Sequence, residues 1–169
     1  VISFEPFHPG DTARLCEWVA TPDELLRWTG AGLAFPLDRA QMEAVLQRAT
    51  LTGGGVWRVC ERGRAVGHIE LHPDLGHPTA TVARVLVAPA ERGRGLATAM
   101  LRRIVEIGFD ERRLHRLELR VLDGNDAAVA CYTRVGFVVE GRLRETRLTA
   151  DGHRRDTLVM GMLATDPRR

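Results

Sequence analysis

The stretch "VLVAPAERGRGLATAMLRRIVEIGF", Val85 to Phe109, constrains this chain more than any other. It opens as an apolar strand, passes Pro89, Gly93 and Gly95, and continues as an amphipathic helix. A helix start leaves backbone N–H groups without partners and gathers partial positive charge there. Glycines let the backbone approach a ligand with no Cβ in the way. Arg92 and Arg94 add charge at the same place. The turn therefore reads as a cradle for phosphate groups, with a plain tight turn as the alternative. Two common cradles do not match. The dinucleotide pattern G-x-G-x-x-G needs glycine where Thr98 stands, and the nucleotide P-loop needs a lysine, whereas every one of the 24 basic residues here is arginine.

The segments around this turn set the architecture. "ISFEPF" reads as a strand, and Asp11 as the cap of a helix over "TARLCEWVA". Thr21, Pro22 and Glu24 form a capping-box start for a second helix. "DRAQMEAVLQRA" is a third, with Met42, Val45, Leu46 and Ala49 on one face. Three strands follow: "VWRVCER", "AVGHIELHP" and "ATVARVLVAP", the last apolar enough to be covered on both faces. After the glycine turn and its helix come the strand "LHRLELRVL" and a short helix capped by Asn125 and stopped by Gly136. Two final strands form a hairpin across Asp151-Gly152. The expectation is an α/β (α+β) fold: a mixed, mostly antiparallel sheet flanked by helices, in one domain spanning residues 1–169.

Two spaced motifs carry a family resemblance. Arg92, Gly95 and Ala97 match R-x-x-G-x-A, preceded by Val87 and Pro89, and this resembles the acetyl-CoA signature of the GNAT superfamily of N-acetyltransferases. Asn125, Ala128, Tyr132, Gly136 and Phe137 resemble the second motif of that superfamily. "VEGRLRE" and the later Asp156 look like the Rim-type branch, which acetylates ribosomal-protein N-termini. The resemblance implies acetyl-CoA as cofactor. Its pyrophosphate would lie on Arg92, Gly93, Arg94, Gly95, Leu96, Ala97 and Thr98, and its pantetheine arm along Leu86 and Val87. Asn125 would reach the arm and Tyr132 the sulfur. Asn125 and Tyr132 are seven residues apart, about two turns of helix, so they share a side.

The implied reaction is direct acetyl transfer to a primary amine, either a peptide N-terminus or a small molecule. Tyr132 is the candidate general acid and the N–H near Val87 the candidate oxyanion donor. For a base, Glu70 is the first choice; His68, Glu70 and His72 share one strand face, which otherwise reads as merely polar and wet. Cys131 reads as packing. Trp18 and Trp28 are candidates for a groove wall or for the core, and the acceptor is expected between the N-terminal helices and the last hairpin. The competing class is a non-catalytic acyl-CoA sensor. Nucleic-acid and membrane partners are not expected: the net charge is +2, and no apolar run approaches a bilayer span. No signal peptide and no metal spacing appears. Three scattered cysteines suit a reducing, cytoplasmic setting, as monomer or homodimer.

Overall fold

A computed structural model describes residues 1–30 and 32–168. Seven strands form one sheet in the order β1-β2-β3-β4-β5-β7-β6. They are β1 (Ile2–Pro6), β2 (Gly55–Glu61), β3 (Arg64–Pro73), β4 (Thr79–Val87), β5 (Arg116–Leu122), β6 (Val138–Leu148) and β7 (Arg154–Leu163). All neighbouring pairs are antiparallel except β4 and β5. Five helices pack on it: α1 (Thr12–Trp18), α2 (Pro22–Thr29), α3 (Arg39–Thr52), α4 (Leu96–Glu106) and α5 (Asp126–Val135). This is the mixed, mostly antiparallel sheet with a C-terminal hairpin that the sequence leads one to expect.

Local chemistry sets most boundaries. The Thr21 hydroxyl accepts from Glu24 N–H at 3.2 Å, and the Glu24 carboxylate accepts from Thr21 N–H at 3.1 Å, so α2 starts at a complete capping box. Asp38 accepts from Gln41 N–H at the start of α3, and Asn125 from Ala128 N–H at the start of α5. Asp11 departs from expectation. Its carboxylate caps no α1 amide; it accepts from His8 N–H and pairs with Arg14 and Arg58. A 3-10 turn, Pro9–Asp11, has already set the chain direction before α1 begins.

Two apolar clusters cover the sheet. One joins β3, β4, β5 and β7 to α4, with Met100, Leu101 and Ile104 fully buried. The other gathers Leu15, Trp28 and Met42 of α1, α2 and α3 with Phe7 and Leu86. β3 lies between them and is buried without a break from Val66 to Leu71. β4 is buried only in alternation, which corrects the reading that it is covered throughout. Its far edge is largely open as well. β4 pairs with β5 only over Thr79–Thr81, opposite Arg116–Glu118, and has no strand partner on that side beyond them.

Candidate functional site

The parting of β4 from β5 opens a groove of about 590 Å³. Its floor includes Val85, Leu86 and Val87 of β4, one end is the turn before α4, and the wall opposite is α5. Gly93 and Gly95 have φ values of +79° and +76°, which glycine adopts without strain, and a Cβ at either would meet no atom within 4 Å. Gly95 occupies the cap position of α4 and offers no side-chain oxygen. The first helical bond here runs from Ala99 N–H to Gly95 C=O, so the amides of Leu96, Ala97 and Thr98 are the free donors of a helix start. Those residues, with Arg92, Gly93 and Gly95, line the groove.

Strand alternation adds a further donor. Ala88 N–H bonds Val66 C=O across the β3–β4 pair, so Val87 N–H points the other way, toward the opening. Arg92 Nε donates to Val87 C=O at 3.4 Å on that side. Upstream, β4 is irregular: the register shifts opposite His68–Glu70, and Arg84 has φ +49°. Trp28 Nε1 donates to Arg84 C=O at 2.8 Å, which anchors α2 on this bulge.

Tyr132 lines the groove from α5, its ring edge-on to Phe137 at 6.3 Å between centroids. Burial pushes its phenol well above the ordinary tyrosine value, with a smaller contribution from Cys131. It therefore stays protonated at neutral pH. Asn125 borders the same groove while capping α5, so its carbonyl oxygen is partly committed. Cys131 also faces the groove, with its sulfur 3.4 Å from the Thr98 hydroxyl, contrary to its reading as packing alone. Trp18 and Trp28 border the opposite end; Trp28 is largely buried as well, so it serves core and wall together.

Two expected residues lie elsewhere. Arg94 turns out of the groove and pairs with Glu61, at 2.8 Å, and with Glu91, so its charge is spent on acids beneath the turn. Glu91, which the sequence reading passed over, is largely buried there and also takes Arg64 at 2.6 Å. Glu70 is fully buried and lines no part of the groove. Its carboxylate accepts from His68 Nε2 at 2.8 Å and His72 Nε2 at 2.7 Å, and it pairs with Arg84. Burial alone would raise its carboxyl, but the bonds from His68 and His72 and the nearby charges outweigh this and hold it far below the ordinary carboxylate range. Such a group takes up no proton from an amine near neutral pH. Glu70 is thus a buried counter-ion that pins the β4 bulge through Arg84. The two acids that do border the groove are also committed, Glu24 to its capping box and Glu91 to its arginines.

Among the described residues no three His, Cys, Asp or Glu side chains gather as a metal site, and no helix is long and apolar enough to cross a membrane.

Comparisons with known proteins point to one family. The profile of the family described as "Acetyltransferase (GNAT) family" matches residues 14–137, well over half of the chain. The spermidine N(1)-acetyltransferase of Vibrio cholerae serotype O1 is 36% identical over 62 residues, which are 37% of this chain and 36% of that protein. This chain thus spans about a third of the length of that curated relative. The structure of spermidine N-acetyltransferase from Vibrio cholerae in complex with CoA and spermine superposes with TM-score 0.81 at 21% identity, covering 97% of this chain and 96% of that one. The ribosomal-protein-S18-alanine N-acetyltransferase of Escherichia coli superposes with TM-score 0.73, also at 21% identity, covering 97% and 94%. At these identities the likeness of structures concerns the fold.

Proposed function

This chain belongs to the acetyltransferase (GNAT) family, and from that premise we propose that it moves an acetyl group from acetyl-CoA directly to a primary amine. One observation carries the reading: helix-start amides, the open edge of β4 and a protonated tyrosine converge on a single groove. Bound acetyl-CoA supplies an activated thioester. Everything else is done by the chain. The amides of Leu96, Ala97 and Thr98, with Gly93, Gly95 and the Arg92 guanidinium, hold the pyrophosphate. The edge of β4 at Leu86 and Val87, with Asn125, holds the pantetheine arm. Val87 N–H faces the negative charge that develops on the carbonyl oxygen. The Tyr132 hydroxyl gives its proton to the departing sulfur, and the proton shed by the acylated amine nitrogen restores it.

The relatives act by name on spermidine and on a ribosomal-protein alanine, so both a small amine and a peptide N-terminus fall within reach. The acceptor enters from the side of α1 and α2, where Trp18 and Trp28 border the groove.

The test is release of free thiol from acetyl-CoA in the presence of amines and N-terminal peptides, with CoA affinity measured by calorimetry. Turnover with at least one amine supports the transferase. Tight CoA binding with no thiol release from any acceptor would make the chain an acyl-CoA sensor instead.

A further inference from the structure

The helix α5 tells the two ends of the groove apart. Asn125, at its start, borders both the groove and a second cleft of about 230 Å³, whose walls also include Arg27 of α2 and Asp151 in the turn of the β6–β7 hairpin. Cys131, further along α5, has its sulfur 3.4 Å from the Thr98 hydroxyl in the first turn of α4. Arg134 follows one turn later on the same flank, about 4.5 Å further along the axis. It too lines the groove, although the sequence reading passed it over. Arg134 thus stands beside the start of α4, at the end away from the second cleft.

The charges at this end do not cancel. Glu61 pairs with Arg94 at 2.8 Å, and Glu91 pairs with Arg94 and with Arg64. Those two carboxylates and two guanidiniums balance one another. Arg92 and Arg134 are left over. Both are exposed, and neither enters an ion pair among the described residues. The carbonyls of Tyr132 and Thr133, in the same last turn as Arg134, are taken by Gly136 N–H. The remaining acids near the groove, Glu24 on α2 and Asp126 in the first turn of α5, stand toward the other end.

CoA carries a third phosphate besides its pyrophosphate. It sits on the 3′-oxygen of the ribose, one sugar beyond the pyrophosphate and on the side away from the thioester. The helix-start amides and Arg92 answer the pyrophosphate, which leaves Arg134 as the spare charge beside them. A guanidinium presents a planar fork that pairs with phosphate oxygens.

We propose that Arg134 binds the 3′-phosphate of CoA and makes the chain select CoA over its dephospho form. The proposal rests on the cofactor placement above and adds a specificity-determining residue to it.

Calorimetry on the full chain compares CoA with dephospho-CoA, which lacks only that phosphate; no turnover is needed. CoA is expected to bind about tenfold tighter, the scale of one charge-assisted hydrogen bond. Arg134→Gln, checked for folding by thermal melting, should bring this ratio toward one and leave the affinity for dephospho-CoA unchanged. Arg134→Lys should keep part of the preference, because the charge stays. Arg92→Gln is the contrast. It should weaken both ligands alike, because the pyrophosphate is common to them. Equal binding of the two ligands by wild type, a preference that Arg134→Gln leaves intact, or a loss in that variant shared equally by both ligands overturns the proposal. Each of these leaves the cradle at α4 standing. Failure of wild type to bind either ligand overturns the proposal and the transferase reading together.

Discussion

Tyr132 is the only tyrosine in the chain, and its burial keeps it a proton donor across the working pH range. Tyr132→Phe removes the hydroxyl and keeps the ring against Phe137. Turnover should fall about a hundredfold, a usual scale for a general acid, while CoA affinity by calorimetry stays within a few-fold. Equal kcat in the variant would remove the acid role. The base is argued from the other side. Glu24, Glu91 and Glu70 are all committed, so the proposed transfer calls for an amine that arrives deprotonated, and kcat/KM should rise with pH until the acceptor's own pKa. Changing the acceptor should move that break; a break that stays put would expose a titrating residue of the enzyme. Glu70 has a structural consequence instead. Glu70→Gln leaves Arg84 without its counter-charge and should cost about 3 kcal/mol, read by denaturant unfolding. Because the folded carboxyl lies below its ordinary 4.5, this contribution is complete above that pH and is lost as acid approaches the lowered value. The gap between wild type and variant should therefore narrow only in acid. Arg84, a charge inside an apolar strand, pointed along the sequence to a carboxylate partner, but the burial of that pair was not legible there. His68, Glu70 and His72 alternate like a wet strand face; Phe7 and Trp28 cover His68, and Arg84 of the next strand pairs with Glu70. Arg94 turns away from the groove for a similar reason, since its partner Glu61 lies 33 positions away.

At the scale of elements most local signals held, the Asp11 cap of α1 excepted. The Thr21–Glu24 box, the Asn125 cap, the hairpin turn and the glycine turn all use residues within a few positions of one another. The depth of β4–β5 pairing has no such signature, because it depends on how far α4 and α5 hold two strands apart. Gly95 belongs to this scale. Its positive φ and the open space over it suit a backbone that meets a bulky anion. Gly95→Glu places a carboxylate there and should weaken CoA binding at least about a hundredfold by charge repulsion in a poorly solvated turn. Gly95→Ala is the control for backbone strain, expected to cost about 1 kcal/mol of stability with a much smaller loss of affinity. If the charged variant melts as a folded protein and binds CoA as before, the cradle lies elsewhere.

The molecule as a whole is a sheet in two parts. β1 to β4 and β5 to β7 share only the three-residue parallel ladder at Thr79–Thr81, and beyond it the groove divides them. A ligand seated between α4, β4 and α5 therefore joins parts that the chain's own strands leave apart. Two measurable effects follow. CoA binds the folded state only, so at about a hundred times its Kd it should add about 2.7 kcal/mol of stability, which raises Tm by roughly 5–10 °C for a domain of this size. Hydrogen exchange should show where that stabilisation resides. Protection should grow at Val87, at Leu96 to Thr98 and in the first turn of α5, because those amides border the opening. The β6–β7 turn at Asp151 and Gly152 should exchange as before, since it borders the other cleft. Protection of the hairpin by CoA alone would mean that the cofactor reaches the second cleft, and the cradle at the start of α4 would have to be moved.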